Sequence, residues 1–218
     1  MQRRFFVPVL CLVLFSITPL FAQEFSGDFV ETDRNNPGAI GKVYAGKDKM
    51  RFESLRKSDS AGGSAVVIFD YATQTADVLM PERKMYIEST SGHLPGWQRS
   101  WNFFRTLDVD NACADWLKMV HKPNGTCHKV GSDTVNGRST VKYEGVSTSG
   151  ETSTFWLDRS LRFPIKWESK NNSGEMKNIK EGAQPASLFE VPSDYQKFQM
   201  PAGMPGMPGA AGVPERHP

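Results

Sequence analysis

The sequence predicts a mainly β fold, a curved antiparallel sheet with one helical insert. Three observations carry that expectation. Short runs alternate apolar and polar residues with a period of two, the pattern of strands with one buried face. Turn signals part those runs at short intervals, which favours hairpins and hence antiparallel pairing. A helical period appears only between His93 and His121.

At the N-terminus, Arg3 and Arg4 precede an apolar stretch over residues 5–15, and Leu20-Phe21-Ala22 offers a cleavage site. This is the pattern of a secretory signal over residues 1–22, and the apolar run is shorter than the roughly 20 residues of a membrane span. The chain carries 26 Lys+Arg and 24 Asp+Glu. Without Arg3 and Arg4 the two signs balance, so charge gives no reason to expect nucleic acid as a partner. Loss of Cys11 leaves Cys113 and Cys127, which in an exported chain most simply form one disulfide. In the chain-entropy model a loop of about 15 residues contributes about 3 kcal/mol. A metal or redox pair with His128 is the alternative, although the spacing matches no recognised ligand pattern.

The strands follow in order. The first is expected near residues 25–32. Gly46-Lys47-Asp48 parts 41–45 from 49–55, Ala72-Thr73 parts 64–71 from 74–80, and Pro81-Glu82-Arg83 precedes 84–89. Met50 and Phe52 alternate with Arg51 and Glu53, and Met85 and Ile87 with Lys84, Tyr86 and Glu88. Val66, Val67, Ile68 and Phe69 are apolar on both faces, which predicts a central strand covered on both sides. In the insert, Trp97, Trp101 and Phe104 recur at i, i+4 and i+7 as one aromatic stripe, either core or cavity lining. Beyond a cap at 108–110, Cys113, Trp116, Leu117 and Val120 repeat helically and stop before Pro123-Asn124-Gly125.

Asn136-Gly137 then marks a type I′ hairpin, which needs positive φ at both central residues. Val141 and Tyr143 alternate with Lys142 and Glu144. The run 155–169 reads as two strands around Asp158-Arg159-Ser160, with Leu161, Phe163, Ile165 and Trp167 on one face and Arg162, Pro164, Lys166 and Glu168 on the other. About ten strands are expected. Residues 199–218, rich in Pro, Gly and Met, cannot bury enough apolar surface to offset ordering and are predicted to form a disordered tail. Met200, Met204 and Met207 could serve as thioether ligands for Cu(I), but incidental methionines in a flexible segment are the simpler reading.

No nucleophile elbow, zinc-protease motif, P-loop or dinucleotide fingerprint occurs. His93, His121, His128 and His217 are scattered, and Asp108 and Asp110 fit capping better than acid–base work. No enzyme, metal or cofactor is expected, and hydrolase activity is the weakest competitor.

Asp-Phe-Val-Glu-Thr at 28–32, Gly41-Lys42 with Lys49-Met50-Arg51-Phe52, Ile68-Phe69-Asp70-Tyr71, Phe155-Trp156-Leu157-Asp158 and Phe163-Pro164-Ile165-Lys166-Trp167 follow a familiar order. Together they resemble the LolA/LolB-like superfamily of periplasmic lipoprotein carriers. Met80-Pro81-Glu82-Arg83-Lys84-Met85-Tyr86 and Phe189-Glu190-Val191-Pro192 are similar to its poorly characterised outer-membrane-lipoprotein-sorting-like relatives. The resemblance covers residues 25–198 and implies a LolA-like domain over 23–198, an incomplete barrel lidded by short helices. It implies a cavity for acyl chains lined by Met50, Phe52, Met85, Ile87, Phe155, Phe163, Ile165 and Trp167, closed by Trp97, Trp101 and Phe104. Arg51 is the nearest match to the arginine that holds the lid in such carriers. The cysteine-closed loop and the tail depart from that pattern. The expectation is a monomeric, non-catalytic binder of a lipid or acylated protein, periplasmic with full secretion as the alternative. The alternative is an envelope structural or interaction protein whose cavity is filled by its own side chains and whose partner is another envelope protein.

Overall fold

The computed structural model describes residues 24–32, 38–55, 64–90, 107–119, 125–147, 150–170 and 172–198. The expected signal segment, the Trp97/Trp101/Phe104 stripe and the tail lie outside the described residues.

Among the described residues, twelve strands form one sheet. The first six, β1 (Phe25–Glu31), β2 (Gly38–Ala45), β3 (Lys49–Ser54), β4 (Val66–Asp70), β5 (Thr75–Met80) and β6 (Met85–Thr90), pair antiparallel in sequence order. A second meander, β7 (Thr126–Val135), β8 (Arg138–Val146), β9 (Thr152–Asp158), β10 (Phe163–Ser169) and β11 (Ser173–Glu181), joins the first through antiparallel β1 and β11. A two-residue strand, β12 (Gln196–Lys197), runs parallel to β6. The order is β12-β6-β5-β4-β3-β2-β1-β11-β10-β9-β8-β7, so among the described residues β12 and β7 are the margins and the barrel is incomplete. The expected ten strands become twelve, and the fold class is as predicted.

Local chemistry explains the turns. Asn136 (φ 49°) and Gly137 (φ 78°) take the two positive φ values of a type I′ hairpin. The expected three-residue turn after β9 is longer. The Asp158 carboxylate accepts the N–H groups of Ser160 and Leu161, and Arg162 adopts φ 53° while donating its N–H to the Asp158 carbonyl. Leu161 therefore sits in the turn rather than in β10, although it is still buried. Within β10 the register slips between Pro164 and Lys166, because the sheet accommodates one extra residue there as a bulge.

As predicted, β4 is covered on both sides, with Val66, Val67, Ile68 and Phe69 all buried. Val67 and Phe69 join the main core with Phe25, Val43, Met50, Phe163, Ile165 and Met176. Val66, Ile68 and Leu79 pack on the opposite side beneath Phe189, Leu188, Val191 and Tyr195 from the C-terminal segment. Lys84–Asp194 (2.8 Å) and Lys197–Glu88 (3.0 Å) fasten that segment to the β6 margin.

Asp77 is the strained member of this margin. It stands directly opposite Glu88, and its Oδ1 is buried without a hydrogen-bond partner among the described residues. Burial raises its pKa and the Glu88 charge adds to the rise, with Lys49 and Lys197 opposing it. A folded-state pKa above the unfolded one means stability is fully present below the ordinary carboxylate range and is lost as pH rises through the folded value. The Asp77→Asn variant is expected to be more stable than the parent at pH 7. The gap should close on acidification into and below the ordinary carboxylate range, as read by urea unfolding at several pH values. A gap independent of pH would remove ionisation as the cause.

Candidate functional site

Side chains from strands that are not neighbours meet on one face, which identifies it as the inner side of the curve. Phe29 of β1 contacts Phe52 of β3 across β2 (ring centroids 5.9 Å), and Trp167 of β10 across β11 (5.7 Å, edge-on). It also approaches Phe163 at 6.3 Å, and Phe163 meets Phe25 edge-on at 5.3 Å. These are the separations at which aromatic rings attract. The strands between contribute glycines beneath the rings. A Cβ on Gly41 would lie 2.6 Å from the Phe52 ring, and one on Gly174 would lie 2.3 Å from Trp167. The rings can therefore lie low across the sheet, and they form a nearly continuous aromatic floor.

The floor continues toward the β7 margin. Trp167 is the cross-strand partner of Phe155, whose ring stacks on Tyr143 (5.3 Å) and on Trp116 (5.4 Å). Trp116 belongs to the helix α1 (Cys113–Met119). A Cβ on Gly145 of β8 would lie 2.3 Å from that indole.

The chain leading into α1 is tied down at several points. The Tyr143 hydroxyl donates to the Val109 carbonyl (2.8 Å) and accepts from the Ala112 N–H (3.3 Å). The Arg162 guanidinium donates to the Leu107 carbonyl at 2.7 and 3.1 Å. Lys129 and Arg159 share the Asp110 carboxylate at 2.8 and 3.2 Å, and their hydrogen bonds, that of Lys129 first, hold its pKa below the usual carboxylate value. Cys113 and Cys127 are joined, with Cα atoms 5.4 Å apart. The disulfide is thus one tie in a network that fixes α1 to β7 and β8.

The residues read from sequence divide as follows. Met50, Phe163 and Ile165 are buried in the main core, and Phe155 in a second cluster with Tyr143 and Leu157. Phe52 and Trp167 are half-buried on the floor. Met85 and Ile87 are half-buried on β6, opposite Met80 and Val78. The expected single wall is therefore two clusters, joined through Trp167. Arg51 is a departure. Alternation along β3 turns it away from Met50 and Phe52, and its guanidinium binds Glu53 (2.7 Å) and the Leu188 carbonyl (3.0 Å). It anchors the C-terminal segment on the outer side instead of a lid on the inner one.

The residues that sequence reasoning missed are Phe29, Glu31 and Asn172. Phe29 shares strand parity with Phe25, and that signal could have placed both on the inner face. Two surface clefts, about 460 Å³ around Lys42, Tyr44 and Asn178 and about 260 Å³ around Gln184 and Phe189, include no residue of the floor. No cluster of metal-ligating side chains occurs among the described residues.

No protein-family model matches the chain, and no curated protein sequence does. Solved structures do. An uncharacterized conserved protein from Thermus thermophilus superposes over 81% of this chain and 90% of its own, at 12% identity and a TM-score of 0.51. What the two share is the fold, an open antiparallel sheet. A LolA superfamily protein from Nitrosomonas europaea matches over 79% of this chain and 91% of its own, at 9% identity and a TM-score of 0.29. MucB, in the Pseudomonas aeruginosa MucA/MucB complex, matches over 79% of this chain and 56% of its own, at 16% identity and a TM-score of 0.48. In this chain the connection 91–125 leaves from β6 near one margin and enters β7 at the other. The helix α1 at its far end is seated beside the floor.

Proposed function

We propose that this protein is a non-catalytic carrier or sensor of the bacterial periplasm, which holds an apolar ligand against the aromatic floor. The observation that carries the reading is the exposure of Phe29, Phe52, Trp167 and Trp116. These rings touch one another or buried neighbours, yet remain half-exposed on the inner face, beside the buried Phe25, Phe155 and Phe163. An apolar patch of this kind gains about 25 cal/mol for each Å² removed from water. Its chemistry suits a lipid or the acyl chains of a lipoprotein, each CH₂ contributing about 0.8 kcal/mol on burial. Trp97, Trp101 and Phe104 in the connection 91–125 are assigned to the same ligand. The formed disulfide supports an oxidising compartment, in keeping with the export signal expected from the sequence of residues 1–22.

A second reading rests on the full burial of Met50, Phe155, Phe163 and Ile165 by their own neighbours. A filled interior would leave an envelope protein partner as the basis of function. One experiment separates the two. The protein is purified gently from its native envelope, extracted with organic solvent, and the extract is analysed by mass spectrometry. A stoichiometric lipid is the expected result. An empty extract, still empty after incubation with phospholipid vesicles, would overturn the carrier reading in favour of the second.

A further inference from the structure

Trp167 is the floor residue whose ring carries a hydrogen-bond donor at the β10–β11 hairpin, and the structure shows where that donor goes. The indole N–H donates to Oδ1 of Asn172 in the hairpin, and the Nδ2 of Asn172 donates to Oε1 of Glu31 on β1 (3.0 Å). Glu31 is 8% exposed, a buried carboxylate two residues along the same strand from Phe29. Register sets these groups in one row, since Trp167 and Glu31 both pair with Gly174, and Gly174 has no side chain to separate them. The hairpin is stitched in place by Ser169, whose hydroxyl donates to the Asn172 carbonyl (2.9 Å) and accepts its N–H (3.2 Å). Thr32 adds a backbone bond to the Ser173 carbonyl (2.9 Å).

We propose that Glu31 and Asn172 are specificity-determining positioning residues, which hold the Trp167 indole across Gly174 as an apolar end wall of the ligand floor. Asn172 serves both neighbours because its amide carries an acceptor, Oδ1, and a donor, Nδ2, on one carbon. With the indole N–H satisfied at the rim, the ring offers Phe29 and a ligand only carbon. Without that acceptor, the N–H must find water or turn toward the ligand, because a buried unpaired donor is costly. The consequence is selection for a plain hydrocarbon chain over one bearing a polar group at this end. The inference rests on the carrier reading above.

The test uses the full mature chain labelled with 5-fluorotryptophan, its Trp167 resonance assigned from Trp167→Phe, together with titration by a fluorescent long-chain fatty acid. In the ligand-free protein, Asn172→Leu and Glu31→Leu are expected to shift or broaden the Trp167 resonance and leave the other tryptophans in place. The same variants should weaken the probe about ten-fold, the loss of one hydrogen bond of this class. Glu31→Gln keeps the acceptor for Asn172 and should restore both the resonance and the affinity. An unmoved Trp167 resonance in Asn172→Leu would overturn the relay. A moved resonance with unchanged probe affinity would overturn its role in specificity. A parent protein that binds no probe would overturn the carrier reading itself, and the specificity role with it.

Discussion

The Arg138→Met variant is expected to lose about 3–5 kcal/mol of unfolding free energy, the usual cost of stripping one partner from a buried ion pair. Arg138 begins β8, and its guanidinium binds the Asp158 carboxylate at the end of β9 and Glu181 at the end of β11. The Asp158 side chain is 1% exposed. Its hydrogen bond to Asp158, followed by that to Glu181, raises the Arg138 pKa further and keeps the group charged. Without the guanidinium, Asp158 retains the backbone N–H groups of Ser160 and Leu161. These moderate the loss toward the lower end of the range. The double variant Arg138→Met/Asp158→Asn removes the orphaned charge, keeps an acceptor for the Ser160 and Leu161 N–H groups, and should recover part of the loss. Urea unfolding of the four members of this cycle measures the coupling. A single-variant loss below about 1 kcal/mol would place the pair with exposed salt bridges.

Asp158 also shows where sequence reasoning stopped. Read alone, Asp158-Arg159-Ser160 is a turn, and its carboxylate does cap that turn. Its ion pair with Arg138 joins residues 20 apart in the chain, and no local pattern encodes that choice. What was legible depends on neighbours in sequence. Alternation at Met50/Phe52 and Met85/Ile87 found β3 and β6. Asn136-Gly137 found its hairpin, the double-faced run 66–69 found the central strand, and two cysteines found each other. What was not legible depends on the curvature of the sheet. Phe29 becomes the hub of the floor because β2 and β11 bend far enough for β1 to reach β3 and β10 over Gly41 and Gly174. Arg51 was assigned to a lid, but its partner, Leu188, lies 137 residues away on the other face. The bulge at Pro164–Lys166 likewise breaks a period that the sequence continues without interruption.

The largest functional effect is expected at Phe29, where Phe29→Asp should abolish binding of the fluorescent fatty acid, a loss of more than about 100-fold. Three rings converge on this residue, Phe52 and Trp167 within 6 Å and Phe163 just beyond. A carboxylate among them stays hydrated while the floor is open to water, so the variant can still fold. When a hydrocarbon chain arrives, that hydration must be surrendered with no cation or donor in exchange. Desolvating an ionised group costs several kcal/mol, and each 1.4 kcal/mol is a factor of ten in affinity. Phe29→Leu keeps the apolar surface and loses only ring contacts of about 0.5–1.5 kcal/mol each. Those contacts are made within the protein and not with the chain, so it should bind within roughly ten-fold of the parent. Val130→Asp makes a comparable apolar-to-acid change on β7, at a residue 50% exposed and outside the floor, and should leave binding unchanged. The three variants together distinguish a ligand floor from a filled interior. If Phe29 only packs the protein, Phe29→Asp will lower the unfolding midpoint while the probe, bound elsewhere or not at all, titrates as it does with the parent.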